Sequence, residues 1–438
     1  MTDQEARAVR ERLEKAKGSG EGEGAIRSAA ALANSLAGQG ELEGAYALLD
    51  QAAETAQSIE RADLQARLLE QKAMLLTQDE RSDDALDAIE AAIKVARDVE
   101  APGLAEELEI RRAIVLANLG RLPEAIAVVR DVLGRVEDQS APAHARLLDL
   151  LGNLYLRSAQ DAKAEQAFQQ ALESAADRSQ PSEMRRLRIG LSRAFVGQEK
   201  YSDAQSLLLG ELEESGDEAG TDEVWGLLNP AIEVSYKLED WDTLIDLTKQ
   251  AMIMAAKEGE PREANIHREN LISVLMRVER LEQAKSHLRD ALDFARRQGP
   301  RERKLVHLTN LGRVCFDLDE LEEAEEYYQE ALSEAKSQDD QRSEVIILGR
   351  LGALKADQSD MKQAVELGQT SAEKAEQIGD PLILAEQLIL LALTYRDLDR
   401  REEAIAASTR AADLYRQQGE EAFSQSAQSL AEQLRAKK

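Results

Sequence analysis

The amino-acid sequence repeats one pattern with a period of about 40 residues. The second half of each repeat begins at a fixed position, which is an alanine in nine repeats and a leucine in one. Eight of the nine intervals between these positions are identical, and the other is shorter by a single position. These positions are Ala45, Ala85, Ala125, Ala164, Ala204, Leu244, Ala284, Ala324, Ala364 and Ala404. A regular internal period means that one structural unit is copied along the chain, so its 438 residues need not divide into separate globular domains.

A second series of mostly small residues stands 12 positions before the first. Its members are Ala33, Ala73, Ala113, Gly152, Ser192, Ile232, Ile272, Gly312, Gly352 and Ala392. Small side chains let two helices approach closely, and bulky residues such as Leu49 and Phe168 return four positions after most of the alanines. We therefore expect each repeat to be a pair of antiparallel helices that bury these positions.

Turn sequences fall where helix pairs require them. Short polar segments such as GQGELEGA and DLDELEEA join the first helix of a repeat to the second, and six of the eight prolines lie between repeats. Two short loops per repeat leave roughly 16–18 residues for each helix. The pattern predicts an all-α fold, an α-solenoid of about ten antiparallel helix pairs.

Composition excludes several classes of function. The net charge is −29, from 55 Lys and Arg against 84 Asp and Glu, and such a surface repels phosphate backbones. We therefore expect no nucleic-acid partner. No stretch approaches the roughly 18 apolar residues of a membrane span, and the first 24 residues have no signal-like apolar run. A cytoplasmic protein without direct membrane insertion is expected.

The best-formed repeat resembles the tetratricopeptide repeat. That family's signature has Leu-Gly, then Tyr, Ala, Phe and Ala at fixed intervals, and the matching residues here are Leu151, Gly152, Tyr155, Ala164, Phe168 and Ala171. A unit of about 40 residues is longer than the family's usual one, and is similar to the branch found in Pins/LGN adaptors and kinesin light chains. The resemblance implies a superhelix whose first helices line a concave groove for segments of partner proteins.

The sixth repeat departs from the pattern. Leu244 and Ile232 replace small residues, Pro230 falls inside a first helix, and an acidic, glycine-rich stretch precedes it. Both a repacked repeat and a joint between two sub-arrays remain open. The predicted organisation is an N-terminal helix and glycine-rich break at residues 1–24, repeats one to five at 25–210, an acidic connection at 211–221, repeats six to ten at 222–420 and a capping helix at 421–438.

The sequence contains no recognisable catalytic or metal-binding constellation. The histidines, at positions 144, 267, 287 and 307, include no pair with the spacing of a helical metal site, and we expect them to be solvated. Cys315 is the only cysteine, which excludes an intrachain disulfide, and it occupies a core position. We therefore predict no enzymatic activity, no cofactor and no metal.

Arginine and amide side chains occupy the positions that the resemblance assigns to the groove. The predicted partner-binding residues are Arg27, Asn34, Arg67, Gln71, Arg111, Asn153, Arg186, Arg193, Asn229, Asn270, Asn310, Arg313 and Arg350. Amides can pair with a peptide backbone, and arginine binds carboxylates bidentately. These residues favour a protein or peptide partner, in particular an acidic segment. Alternatively, the arginines only pair with acids on neighbouring helices.

Two functions fit these observations. The leading prediction is a non-enzymatic scaffold or adaptor that binds an extended or helical segment of a partner protein in the groove. The alternative is a ligand-sensing regulator in which a peptide or small-molecule effector changes the shape of the superhelix. The pattern favours no particular oligomeric state. Of the five residues of the chaperone-binding carboxylate clamp, only Asn34 and Arg111 are matched, so that use is not expected.

Overall fold

The computed structural model describes residues 3–16, 22–136, 142–175, 180–215 and 221–436, and within these ranges every regular element is an α-helix. The chain divides into two compact units, residues 1–239 (unit 1) and 240–438 (unit 2). The helices of unit 1 are α1 (Asp3–Ala16), α2 (Glu23–Gly38), α3 (Leu42–Ser58), α4 (Ala62–Gln78), α5 (Ser82–Asp98), α6 (Pro102–Asn118), α7 (Leu122–Arg135), α8 (Pro142–Arg157), α9 (Asp161–Ala175), α10 (Pro181–Gly197), α11 (Tyr201–Ser215) and α12 (Thr221–Lys237).

Unit 2 continues with the same kind of element. Its helices are α13 (Trp241–Lys257), α14 (Pro261–Arg277), α15 (Leu281–Gln298), α16 (Arg301–Asp317), α17 (Leu321–Ser337), α18 (Gln341–Asp357), α19 (Met361–Ile378), α20 (Pro381–Asp397), α21 (Arg401–Gln417) and α22 (Glu421–Ala436). Successive helices pack as pairs from α2–α3 to α10–α11 in unit 1 and from α14–α15 to α20–α21 in unit 2. The predicted all-α repeat fold is confirmed.

Prolines mark where several helices begin, and residues with a left-handed backbone conformation mark where many of them end. Five helices begin at a proline, where the missing N–H is not needed: α6, α8, α10, α14 and α20. Many helices are followed by a residue with positive φ, and nine of the eleven such residues that are not glycine are Glu or Asp. At one of them, Glu80, φ is 58°, and the next N–H, that of Arg81, donates to the carbonyl of Leu76 at 3.0 Å. This bond satisfies a carbonyl that the helix end leaves open.

A phenylalanine ring between two glycines forms the centre of the fourth repeat. Phe168 on α9 is fully buried, and a Cβ atom added to Gly152 on α8 would lie 2.8 Å from its Cζ atom. A Cβ added to Gly190, on the first helix of the next repeat, would overlap the same ring. The ring therefore packs within a pair and between pairs. Gly312 and Tyr328 repeat the first of these contacts in unit 2.

The first and last helices pack on the ends of the array. Leu13 and Ala16 of α1 are buried, and α1 contacts α2 and α3. The last helix, α22, packs on α21, and its Ser424 hydroxyl donates to the carbonyl of Ala412 at 2.8 Å. Both helices therefore pack against the neighbouring repeat, and the capping role of residues 421–438 stays a prediction.

The irregular sixth repeat lies at the boundary between the units. The first of its helices, α12, continues through Pro230, and the boundary follows at residues 239 and 240. Residues 211–215 of the predicted acidic connection end α11, and residues 216–220 lie outside the described residues, as do residues 17–21 of the predicted glycine-rich break. The joint between sub-arrays stays a prediction. None of the described helices has the length and apolar character to cross a membrane.

The packing around Phe168 predicts opposite effects for two glycine substitutions. Gly190→Ala should lower the free energy of unfolding by about 1–3 kcal/mol, because the added methyl group overlaps the buried ring. The matched control, Gly210→Ala in α11, has open space at that position and should raise it by about 0.5–1 kcal/mol. Urea denaturation followed by circular dichroism measures both, and a stabilised Gly190→Ala variant would contradict the packing described.

Candidate partner-binding surface

The candidate surface is the exposed side of the first helices of the pairs, which we call the first-helix face. Neighbouring first helices contact each other directly, for example α4 with α6 and α8 with α10 in unit 1, and α18 with α20 in unit 2. Side chains of successive repeats can therefore reach one another there. All thirteen predicted partner-binding residues lie on first helices, α2, α4, α6, α8, α10, α12, α14, α16 and α18.

On α4 and α6, the predicted arginines pair with glutamates. Arg67 Nη2 lies 3.3 Å from Glu107 Oε2, and Arg111 Nε lies 2.9 Å from Glu70 Oε1. Each helix supplies one cation and one anion to the other. The alternative in which arginines pair with neighbouring acids therefore describes this part of the face.

A second set of ion pairs joins α8 and α10. Arg186 Nη2 lies 2.8 Å from Asp149 Oδ2, and Arg146 Nε lies 3.7 Å from Glu183 Oε1. Asn153 donates to the carbonyl and to Oδ1 of Asp149, at 2.8 and 2.9 Å. Burial raises the pKa of Asp149, and Arg186 and Asn153 oppose that rise. Arg186 and Asn153 thus stabilise a buried carboxylate within the chain.

The remaining predicted residues of unit 1 are more varied. Gln71 Nε2 donates to Asn34 Oδ1 at 2.7 Å and to the carbonyl of Ala30 at 2.8 Å, which joins α4 to α2. Arg27 is exposed, and its Nη2 atom lies 3.5 Å from Glu23 Oε2 on the same helix. Arg193 and Asn229 are exposed.

Two predicted arginines on the first-helix face of unit 2 differ from those of unit 1, because they border a cavity. Arg313 on α16 and Arg350 on α18 line a cavity of about 420 Å³, together with residues of α20 and the side chains of Tyr328 and Tyr415. Among the described residues, neither arginine forms an ion pair, and the buried Nε atom of each has no hydrogen-bond partner. Arg313 Nη2 has a weak contact, 3.9 Å, with the sulfur of Met276.

Apolar and amide side chains extend this face along unit 2. Ile266 and Val306 occupy equivalent positions in successive first helices and are 57% and 47% exposed. Asn270 is exposed beside the first of them, and Asn310 is half-buried and lines a smaller pocket of about 250 Å³ with Val306. The sequence prediction omitted both apolar residues. Their separation by one full period of the sequence, beside predicted groove positions, is a signal that could have identified them.

One larger cavity in unit 1 is electrically balanced. About 910 Å³ in volume, it is lined by Arg146, Arg185 and Arg186 and by the acids Glu183, Asp222 and Glu223. Arg185 pairs with Glu223, and the other two arginines pair as described above. Its positive charge is therefore already compensated within the chain.

Within the described ranges, the one group of candidate metal ligands is neutralised by cations. Cys315, Glu320 and Glu323 place ligand atoms near one another, but Lys285 Nζ pairs with Glu320 and lies 3.0 Å from Glu323 Oε2. Burial would raise the pKa of Glu323, yet hydrogen bonds from Arg289 and Lys285 outweigh burial and hold it at about 2. Burial raises the pKa of Cys315 to about 12, so its thiol is a protonated core group.

The prediction that all four histidines are solvated is wrong for His307. That side chain is 3% exposed on α16, and its Nε2 atom lies 3.4 Å from Glu269 Oε1. Burial lowers its pKa. The helical pattern failed here because a histidine next to a core leucine can be buried when a carboxylate of the neighbouring first helix lies close by.

Repeated helix pairs with an exposed first-helix face define a helical-repeat protein with a surface for interactions. Tetratricopeptide repeat models match residues 147–182, 262–336 and 385–418. These three segments of the chain are tetratricopeptide repeats, and their presence supports a protein-interaction scaffold in general terms. No curated protein matches the sequence.

Several solved structures are similar to parts of the chain. BtubC from P. vanneervenii is 19% identical, with 50% of this chain and 92% of that chain covered and a TM-score of 0.40. A putative kinesin light chain of Podosopora anserina with nearly identical TPR-like repeats is 14% identical, with 44% and 95% covered and a TM-score of 0.40. A tetratricopeptide repeat protein from Parabacteroides merdae is 16% identical, with 65% and 98% covered and a TM-score of 0.40.

The Arg186–Asp149 pair predicts a pH-dependent loss of stability. The pKa of Asp149 is raised in the folded protein, so ionising this carboxyl lowers the free energy of unfolding. The loss begins as the pH rises above the ordinary pKa range of an aspartate. Arg186→Ala should raise this pKa further and lower the free energy of unfolding by about 1 kcal/mol more at pH 7 than at pH 4. Urea denaturation at both pH values tests this, with exposed Arg193→Ala as the matched control. An equal loss for Arg186→Ala at both pH values would exclude the proposed coupling.

Proposed function

We propose that the chain is a non-enzymatic scaffold or adaptor that holds an extended or helical segment of a partner protein on its first-helix face. The partner is a protein or peptide, with acidic residues in the bound segment, and neither nucleic acid nor membrane insertion is involved. The proposal includes a cytoplasmic location, in keeping with the acidic composition. The thirteen predicted residues are not equivalent in it, because several are occupied by partners within the chain.

The observation that carries the proposal is the set of available groups in unit 2. Val306 and Ile266 expose apolar surface at equivalent positions of neighbouring repeats, and Asn270 and Asn310 place amides close to them. Exposed apolar side chains beside polar groups are typical of interaction sites. Amides can pair with the backbone of a bound segment whatever its sequence. A segment that crosses several repeats would gain from each of these contacts.

Unit 1 contributes less to binding in this proposal. Its arginines at positions 67, 111 and 186 already contact carboxylates within 3.3 Å, so a partner would have to displace those contacts. Displacing a contact that already exists yields little net free energy. Arg193 and Asn229 are exposed and remain the candidates in that unit.

Affinity capture with paired variants tests the proposal. Wild-type protein immobilised as bait in lysate of the native cells should retain defined partners, identified by mass spectrometry. Arg193→Glu with Arg313→Glu should reduce their recovery by about tenfold or more, since both cations are replaced by anions on the first-helix face. The matched control, Arg130→Glu with Arg297→Glu, makes the same charge change at exposed positions of the second helices α7 and α15. Equal recovery with both double variants would refute the face as the site.

Photo-crosslinking locates the bound segment directly. A photoreactive residue in place of Val306 should form a crosslink to the captured partner, whereas the same residue in place of Arg297 should not. Crosslinking only from position 297 would place the partner on the other side of the repeats.

The cavity in unit 2 also favours a second candidate function, the ligand-sensing regulator. Its volume of about 420 Å³ lies within the range of small-molecule sites. If an effector binds there, a concentration of about 100 times its Kd should stabilise the protein by about 2.7 kcal/mol. A thermal-shift screen against peptides and metabolites measures this, and no shift with any metabolite would count against the regulator.

A further inference from the structure

We propose that the cavity bordered by α16, α18 and α20 is a carboxylate-binding pocket that receives an acidic group of the bound segment. This inference rests on the proposed function, and it specifies which chemical group of the segment the site recognises. The shared chemistry is a carboxylate on a short carbon chain. It can come from an aspartate or glutamate side chain or from the free C-terminus of the partner.

Two guanidinium groups from successive repeats supply the charge. Arg313 and Arg350 both line the cavity, and each has an Nε atom that is buried without a hydrogen-bond partner among the described residues. Because these Nε atoms are buried, a carboxylate in the cavity would accept hydrogen bonds from the terminal Nη groups of the two side chains. Arginine remains protonated in proteins and matches the geometry of a carboxylate with two N–H groups.

The acids near these arginines do not neutralise them by contact. Asp317 and Glu386 line the same cavity, yet within the described ranges neither forms an ion pair with Arg313 or Arg350. Arg186 in unit 1 shows the contrasting case, since it lies 2.8 Å from its aspartate. The two guanidinium groups are therefore not engaged in ion pairs, whereas Asp317 and Glu386 would both repel an incoming carboxylate.

The walls of the cavity fit the carbon part of such a group. Phe316, Ile346 and Leu390 are apolar lining residues. The Tyr328 hydroxyl adds a polar group, and burial raises its pKa although Arg350 opposes that rise, so it stays protonated and can donate a hydrogen bond. A polar end with apolar walls is the usual composition of a pocket that binds one side chain.

The pocket continues into the apolar and amide surface of unit 2. Ile346 lines both the cavity and the smaller pocket that contains Val306 and Asn310. A segment whose backbone contacts Asn310 can therefore place a neighbouring side chain between the two arginines. This continuity is the reason for assigning the carboxylate to a protein segment.

Gly349 allows the floor of the cavity to form. A Cβ atom at this position of α18 would overlap the side-chain oxygen of Gln387 on α20. Gln387 is buried, and its Oε1 accepts a hydrogen bond from Ser371 at 3.0 Å. The cavity wall is therefore fixed by packing and a buried hydrogen bond.

Selection from random peptides tests the inference. Two libraries of twelve-residue peptides, one with amidated C-termini and one with free C-termini, are selected against the immobilised full chain. The selected peptides should contain Asp or Glu, or should require the free terminus, and the library that is enriched identifies the source of the carboxylate. Replacing that one carboxylate by an amide should weaken binding to wild type by about 10- to 100-fold.

Variants that should change the affinity for an acidic peptide in opposite directions separate recognition from folding. Arg313→Gln and Arg350→Gln should each weaken binding of an acidic peptide by about tenfold or more and remove its preference over the amide version. Glu386→Gln should tighten it by about two- to fivefold, because an exposed like charge is removed. The matched control, Arg297→Gln on α15, should leave binding unchanged. If an arginine variant fails to fold, Glu386→Gln and the peptide substitution still decide the question.

The outcomes distinguish the carboxylate pocket from the more general interaction function. Selected peptides that bind equally well with carboxylate or amide, and equally to Arg313→Gln, would overturn the carboxylate pocket and leave the interaction function intact. Failure of the full chain to select any peptide would overturn both. Binding of N-acetylglutamate but of no peptide would overturn the assignment to a protein segment.

Discussion

Close contact between two helices at a small side chain is the constraint on which the rest of the structure depends. The ring of Phe168 fits between α8 and α10 only because Gly152 and Gly190 have no Cβ atom. The first glycine belongs to the same repeat and the second to the next one, so a single ring joins a pair to its neighbour. Interiors are packed densely enough that one added methyl group has a measurable cost, which ties the period of the sequence to the period of the fold.

This packing buries one side of each first helix and leaves the other side free to vary. In unit 1 the free side is used for ion pairs between repeats, such as Arg67 with Glu107, whose positions differ by one full period of the sequence. In unit 2 the equivalent side has apolar side chains at Ile266 and Val306 and arginines that border a cavity. Unit 2 also has an ion pair between first helices, since Arg303 Nη1 lies 2.7 Å from Glu269 Oε2. The two surfaces therefore differ in their exposed apolar side chains and in the cavity.

The sequence predicted the fold almost completely and the candidate site only in part. Helix pairs follow from small residues and prolines at fixed spacing, because both act locally. The helix ends were harder to predict from the sequence. Glu80 and ten other residues that are not glycine adopt a left-handed conformation that is usually associated with glycine. Which arginines are paired depends on side chains of a neighbouring repeat. The pairing of Arg186 with Asp149 could have been inferred only by aligning one repeat with the next.

The negative charge of the whole chain and the two arginines of the pocket act over different distances. A net charge of −29 repels an acidic segment at long range, but exposed charges are screened beyond about 8 Å at physiological ionic strength. Arg313 and Arg350 border the cavity and act at contact distance, where screening is weak. The acidic exterior therefore disfavours nonspecific adsorption of acidic chains, whereas the pocket favours those segments that place a carboxylate between the two arginines.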